Sequence, residues 1–274
     1  MANSSGIYLE MDGKILLLCD ERWSIVPLGI CVSGYQQMKK KIALETGDPV
    51  ICRDGYLHFA SQWLKITEQE PTAMDFGSRV CRESWLAGIR VLRGREKGLA
   101  PLAEVILTGK SGQCPNALCT LALPRLNKLW NGLWEEDISV IEEGAKGLLG
   151  LGPGLTPSGD DVLCGLLYGL LRSSCAGSLG VKTLVSIVCR EADGYTHPVS
   201  AAYLQAIARE EPFGRLEEAW LTLRGLREGT FESLLEVGSS SGGDLLLGLL
   251  LAGKICMERE AGTDARKDCT GIVG

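Results

Sequence analysis

Residues 150–161 constrain this chain more than any other part of its sequence. They read Gly-Leu-Gly-Pro-Gly-Leu-Thr-Pro-Ser-Gly-Asp-Asp and lead directly into the apolar residues 162–171. A helix that is apolar on every face lies inside a protein, and glycines let bare backbone approach a neighbour closely. The segment therefore predicts a Gly-rich loop that carries two carboxylates to the start of a buried helix. Such an arrangement is suited to a binding site.

Composition and charge exclude several classes of protein. The net charge of −6 provides no basic face for nucleic acid. The longest apolar runs, residues 162–171 and 245–252, are far shorter than the ~20 residues that span a bilayer. Eleven scattered cysteines without a Cys-x-x-Cys pair favour a reducing compartment, and two histidines make a structural zinc site improbable. We expect a cytoplasmic protein without nucleic-acid or membrane partners.

The spacing of apolar residues changes near the middle of the chain, from short runs typical of strands to the period of a helix. This change predicts an α+β fold. Residues 1–110 are expected to form a β-rich N-terminal domain, because Asp-Gly pairs at 12–13 and 54–55 separate short apolar runs and so predict hairpins. Within it, the spacing predicts a helix over residues 34–44. The predicted strands are residues 7–9, 14–19, 50–52, 56–59, 64–66 and 89–92.

Residues 111–257 are expected to form a mainly α-helical domain with buried Gly-rich helices. Apolar residues recur there at helical spacing, and Gly and Pro separate the runs. The polar residues 258–274 predict a flexible tail. The predicted helices are residues 117–130, 138–149, 162–171, 181–191, 199–208, 216–226, 231–237 and 245–257.

The motif that begins the buried helix has a counterpart late in the chain. Residues 158–167 and 241–250 share the pattern Ser-Gly-x-Asp, three apolar residues, Gly and two Leu. One interpretation is a capping box at each helix start, in which the serine and the acid satisfy backbone amides. Capping alone leaves Asp160 and the Gly-rich approach unexplained. The alternative is that both helices begin at one ligand site.

Two helix N-termini at one cavity predict an anion site, because free amides and the helix dipole favour negative charge there. Asp160, Asp161 and Asp244 would repel an anion, and Mg²⁺ between them would resolve the conflict. Nearby, Thr196 and Ser200 offer hydroxyl groups to the same cavity. His197 fits a helix cap better than a proton carrier.

The motifs also resemble a known family. The pattern Gly-x-Gly-Leu-Thr-Pro-Ser-Gly-Asp-Asp over residues 152–161, followed by Thr196, Ser200 and the Gly-rich motif 238–248, is similar to the signature of the AllH-like family. That family includes a subunit of oxamate carbamoyltransferase in anaerobic allantoin degradation, a branch of purine catabolism. The chain departs from the family pattern at Tyr195, where members often carry Arg, and at Gly243, where a bulkier residue is common.

The resemblance implies a transferase subunit that acts with two partner proteins to exchange a carbamoyl group between an amide nitrogen and phosphate. The expected ligand is a small anion: carbamoyl phosphate, phosphate or an oxalurate-like carboxylate. The predicted catalytic residues, which are also the candidate Mg²⁺ ligands, are Asp160, Asp161 and Asp244. The predicted binding residues are Gly152, Gly154, Leu155, Thr156, Ser158, Gly159, Thr196, Ser200, Ser240, Ser241 and Gly242.

Two other functions fit the same sequence. The chain is alternatively a non-catalytic scaffold or regulatory subunit in which the motifs serve packing. A second alternative is a stand-alone, metal-dependent enzyme that acts on a phosphorylated small molecule.

Overall fold

A computed structural model describes residues 6–11, 13–20, 27–41, 45–59, 62–66, 79–109, 114 and 116–270, with side chains up to residue 261. The chain divides into two units. The N-terminal unit comprises Met1–Ala73 and Glu211–Arg215, and the helical unit comprises Met74–Glu210 and Leu216–Gly274.

The first sheet of the N-terminal unit contains strands β1 (Gly6–Met11), β2 (Lys14–Asp20) and β3 (Gly29–Val32). β1 and β2 form the predicted hairpin, with Met11 opposite Lys14, and Gly13 takes the positive φ of 74° that the turn requires. β3 pairs with β2 in parallel and was not predicted. Asp12 of the predicted turn lies outside the described residues.

The second sheet contains strands β4 (Val50–Arg53), β5 (Tyr56–Phe59) and β6 (Gln62–Lys65), all antiparallel. Asp54 and Gly55 have φ of 53° and 78°, so both turn residues are left-handed, as a type I′ hairpin turn requires. Helix α1 (Tyr35–Lys41) lies between the two sheets in sequence, and residues 42–44 of its predicted range lie outside the described residues. Leu18, Tyr35, Leu57 and Phe59 form the buried core.

From residue 117 onward the helical unit contains the predicted succession of helices with shifted ends, and two helices that precede residue 117 were not predicted. A 3₁₀ turn, Ala100–Leu102, follows the first of them. The helices from Arg82 onward are α2 (Arg82–Leu92), α3 (Ala103–Thr108), α4 (Ala117–Glu135), α5 (Ile138–Leu148), α6 (Ser158–Leu171), α7 (Leu179–Tyr195), α8 (Pro198–Ala208), α9 (Gly214–Leu223), α10 (Glu232–Leu235) and α11 (Ser241–Thr270).

Helices α6 and α11 form the centre of this unit. Every residue of α6 is buried, and so are Gly242–Gly253 of α11, which confirms that the Gly-rich helices are interior. Their apolar faces are covered by protein on all sides, as expected for helices without a polar face. In the part of the chain that the structure describes, no helix has the length and apolar content to cross a membrane.

The α+β class is confirmed, with two small sheets followed by helices. The strand predicted at residues 89–92 is wrong, because these residues end α2, in which Trp85, Ile89 and Leu92 form one buried face. A short apolar run does not distinguish a strand from a buried helical turn. Helix α11 also extends well beyond its predicted end at residue 257.

Candidate functional site

Helices α6 and α11 pack backbone against backbone. A Cβ atom at Gly165 would lie 2.0 Å from the carbonyl oxygen of Leu245, and one at Gly248 would lie 2.2 Å from that of Val162. No side chain fits at such distances, so both positions require glycine. Val162 and Gly165 in the first motif correspond to Leu245 and Gly248 in the second. The contact is therefore reciprocal, as a local two-fold relation between the motifs would produce.

The two helices also begin in the same way. The amide of Gly159 donates to the carbonyl of Leu151, and the amide of Gly242 donates to that of Val237, each at 2.9 Å. A Cβ at either glycine would lie 2.1 Å from a carbonyl oxygen of the preceding helix. The repeated sequence thus produces a repeated backbone, with each helix start pressed against an earlier helix.

Most first-turn amides of α6 are already bonded within the protein. The amides of Asp160 and Asp161 both donate to the carbonyl of Pro157 at 3.0 Å, and that of Gly159 is bonded as described above. These bonds leave the amide of Ser158 unused. The expected set of free helix amides is therefore small, and an anion here would also need hydroxyl groups or loop amides.

Asp160 ties the Gly-rich loop to the start of α8. Its fully buried carboxylate accepts the amide of Gly150 at 2.8 Å, the hydroxyl of Ser200 at 2.7 Å and the hydroxyl of Thr196. Burial raises the pKa of Asp160, and these three donors oppose the shift. Because both oxygens are occupied by protein donors, the carboxylate is suited to holding the loop in place.

Asp161 and Asp244 are buried, and each has one carboxylate oxygen without a hydrogen-bond partner. Oδ1 of Asp244 accepts the amides of Leu99 at 2.6 Å and Ala100 at 3.1 Å. Oδ2 of Asp161 and Oδ2 of Asp244 have no hydrogen-bond partner, although the two residues are only 6% and 0% exposed. Buried polar atoms without partners are uncommon and require an explanation.

The two acids influence each other and are approached crosswise by the two motif serines. Burial raises the pKa of Asp161 well above its usual value, and the charge of Asp244 raises it further, while Ser241 lowers it. Burial raises the pKa of Asp244 to about 7, and Ser158 opposes that shift. Both acids therefore hold a proton more tightly than an exposed carboxyl group does. A protonated carboxyl group is a hydrogen-bond donor.

The loops that precede the two helices meet through their hydroxyl groups. Oγ1 of Thr156 lies 3.2 Å from Oγ of Ser241. Gly152 has a φ of 126°, and a Cβ there would lie 2.9 Å from the amide nitrogen of Ser158, so a side chain is excluded. The predicted binding residues that keep partial or full exposure are Gly152, Gly154, Leu155, Thr156, Thr196, Ser240 and Ser241.

Capping by a side chain is absent at the start of α6 and present at the start of α8. Pro157 occupies the N-cap position of α6 without any side-chain cap bond, so the first motif is not a capping box. His197 does cap α8, because its Nδ1 accepts the amide of Val199 at 3.2 Å. Its capping interpretation, which the sequence favoured, agrees with this bond.

The predicted Mg²⁺ ligands do not form a cluster. Among the described residues, no group of three or more His, Cys, Asp or Glu side chains is placed to hold a metal ion. Asp160 is engaged as described above, which leaves Asp161 and Asp244 as the acids with an available oxygen.

Sequence reasoning missed the segment that holds Asp244. Leu99 and Ala100 supply its amide donors, and a Cβ at Gly98 would lie 2.3 Å from its Oδ2. The only signal in the sequence was the turn-forming pair Gly98 and Pro101 around these residues. That signal predicts a turn and does not connect it with an acid far along the chain.

The fold and the site define an α+β protein whose helical unit is built around two Gly-rich helices with buried acids at their starts. Residues 148–253 match the model of a family described as oxamate carbamoyltransferase subunit AllH. The match includes both motifs, and it confirms the resemblance to the AllH-like family over this part of the chain. A search of curated proteins found no match, and a search of solved structures found none either.

Proposed function

We propose that this chain is a subunit of an oxamate carbamoyltransferase-type complex and binds a small anionic substrate where α6 and α11 begin. The family match over both motifs supports the type of complex. The observation that carries the site is the pair of buried carboxyl groups of Asp161 and Asp244, each with an unpartnered oxygen. Packing alone does not explain an unpartnered oxygen on each of two acids that influence each other.

The ligand we propose is carbamoyl phosphate, phosphate or an oxalurate-like carboxylate. Its donors would be the hydroxyls of Thr156, Ser158 and Ser241, together with backbone amides of the Gly-rich loop. The raised pKa of Asp161 answers the objection that acids repel an anion, because a protonated carboxyl group donates a hydrogen bond.

Carbamoyl transfer also needs a group that accepts a proton. When an amide nitrogen attacks the carbamoyl carbon of carbamoyl phosphate, a C–N bond forms, the C–O bond to phosphate breaks and the nitrogen loses a proton. Asp244, with a pKa of about 7, is matched to accept it near neutral pH. Asp161 shares that proton, and Asp160 positions the loop.

The proposal includes partner proteins, since the matching family is that of a carbamoyltransferase subunit. We expect two of them, together completing the transferase. Cysteine usage supports a cytoplasmic location, and anaerobic allantoin catabolism is the process we propose for the complex.

The burial of the motif favours a second candidate, a scaffold or regulatory subunit. Asp160 and Asp244 are inaccessible, and the glycines of both motifs serve helix packing. In this alternative the chain would be required for assembly of the complex, and the chemistry would reside on a partner.

Binding is tested on the full chain by isothermal titration with carbamoyl phosphate, inorganic phosphate and oxamate, each with and without MgCl₂. Loss of one hydrogen bond to a charged ligand weakens binding roughly 10- to 100-fold. We expect that loss for Ser241→Ala and for Thr156→Ala. Ser174→Ala, which removes an exposed hydroxyl bonded to Glu260, is the matched control and is expected to bind normally. Equal binding by all variants would refute the site.

Activity is tested in the complex reconstituted with its partner subunits. We expect Asp161→Asn and Asp244→Asn to lower kcat by roughly 100-fold or more, as loss of acid–base catalysis does. Asp193→Asn, on the exposed face of α7, is the control. Full activity of both folded variants would exclude these acids from the chemistry. A complex that still requires the chain for assembly would then identify it as a scaffold.

A further inference from the structure

The N-terminal unit contains a pair of thiols on adjacent strands, outside everything proposed above. Cys19 of β2 and Cys31 of β3 are paired in the parallel register, and their Sγ atoms are 3.6 Å apart. Cys31 is exposed on β3, an outer strand among the described strands of this sheet, whereas Cys19 is fully buried. One sulfur is thus reachable from solvent and the other lies directly behind it.

We propose that Cys19 and Cys31 form a thiol–disulfide exchange site that reacts with small-molecule disulfides. Cys31 is the attacking thiol and Cys19 is the resolving thiol. The site is independent of the carbamoyltransferase proposal, and nothing in α6 or α11 takes part in it.

The electrostatics agree with these roles. The hydrogen bond from Cys19 lowers the pKa of Cys31, while burial and the charge of Asp20 oppose the shift. The pKa of Cys19 is raised, chiefly by its hydrogen bond with Cys31 and then by burial. Cys31 is therefore the thiol with thiolate character, which is the reactive form.

The reaction is balanced with a small disulfide as oxidant. The Cys31 thiolate attacks one sulfur of the small disulfide, forms a mixed disulfide and releases one thiolate. Cys19 then loses its proton to the released thiolate and attacks Sγ of Cys31, which expels the second small thiolate. That thiolate takes up from solvent a proton equivalent to the one that Cys31 gave up when it ionised. Two protein thiols are oxidised, and one disulfide is reduced to two thiols.

Strand geometry permits a disulfide bond between Cys19 and Cys31. Paired residues on neighbouring strands lie roughly 4.8 Å apart, which is within the range for a disulfide. The Sγ atoms must still approach from 3.6 Å to about 2.05 Å, and parallel strands hold the two side chains side by side. A disulfide with one exposed sulfur is accessible to reducing thiols, as labile disulfides are.

The test uses the full chain and oxidised glutathione, followed by alkylation, proteolysis and mass spectrometry. We expect a Cys19–Cys31 peptide within one chain, formed roughly tenfold faster than glutathione adds to Cys52, because thiolate fraction and proximity both favour it. Cys52 is the matched control, as an exposed strand thiol of the same unit. Low concentrations of dithiothreitol should reverse the bond.

Two variants assign the roles. Cys19→Ser is expected to trap glutathione on Cys31, and Cys31→Ser is expected to leave Cys19 unmodified. Cys19→Ala serves as a second variant if the serine disturbs the buried position. The buried pair Cys175 and Cys256 should react slowly in every sample. Equal modification of Cys31 and Cys52 in the intact chain, without a Cys19–Cys31 bond, would overturn the proposal.

Discussion

Replacing Asp244 by asparagine is expected to stabilise the protein at alkaline pH, although the side chain is fully buried and hydrogen-bonded. Asparagine keeps the shape of the residue, and its amide oxygen accepts the same bonds from Leu99 and Ala100. What it removes is the ability to ionise. The change therefore isolates the free energy that the buried carboxylate charge costs the fold.

The magnitude follows from the pKa. The pKa of Asp244 is about 7 in the folded protein against a usual value of 3.8. A raised carboxyl pKa means that the folded state holds the proton more tightly. The contribution of Asp244 to the stability of the fold is therefore fully present below pH ~4, is lost progressively as the pH rises to about 7, and changes no further above that. At ~1.4 kcal/mol per pKa unit, the total loss is about 4 kcal/mol.

Urea unfolding followed by circular dichroism, at several pH values between 5 and 8, measures the difference between the wild type and Asp244→Asn. We expect this difference to grow with pH in favour of the variant and to reach a few kcal/mol at pH 8. Asp193→Asn, in which the replaced carboxylate is exposed, should show no such trend. If the difference in the free energy of unfolding stayed constant or fell as the pH rose, burial would not be raising the pKa of Asp244, and the reasoning would be refuted.

Two further predictions concern the backbone around the site. Asp160→Ala leaves the donors of Gly150, Thr196 and Ser200 without an acceptor and should lower the free energy of unfolding by about 3–5 kcal/mol; a loss below ~1 kcal/mol in urea unfolding would contradict its role as a tie between loop and α8. Gly248→Ala places a Cβ 2.2 Å from the carbonyl of Val162 and should cost more than ~3 kcal/mol, whereas Gly194→Ala, with no atom within 4 Å of the new Cβ, should stabilise α7 by ~0.5–1 kcal/mol. Equal melting temperatures for these two variants would exclude close packing of α6 on α11.

Local signals in the sequence predicted much of the fold. The Asp54-Gly55 turn formed because those residues accept left-handed backbone, and α6 is buried because it lacks a polar face. Both properties depend on a few neighbouring residues. Strand β3 was not predicted, because its position depends on pairing with β2 rather than on an alternation of apolar and polar residues within β3. A parallel pair of strands also has no tight turn between its members, so the sequence carries no turn signal there.

The sequence predicted which residues the candidate site contains, but it did not predict the hydrogen bonds between them. The likeness between the two motifs identified Asp161 and Asp244 as equivalent, and the structure brings the helix starts together. The different hydrogen bonding of the three acids could not be predicted from the sequence. Asp160 differs from Asp161 only by one position in sequence, yet one carboxylate is saturated with donors and the other is not. That difference arises from α8, which is distant in sequence.

The energetics argue that the acids are retained for a reason other than packing. The glycines alone bring the two helices into contact, since their reciprocal approach involves only backbone and apolar atoms. Two neighbouring buried carboxyls oppose that packing, because burial penalises the charge of each and the charges repel. Asparagine at Asp244 would fill the same space and accept the same amides without this penalty. Because the chain keeps aspartate at position 244, although asparagine would be more stable there, we expect the proton of Asp244 to have a function. The pH-dependent gain in the free energy of unfolding of Asp244→Asn measures what that function costs the fold.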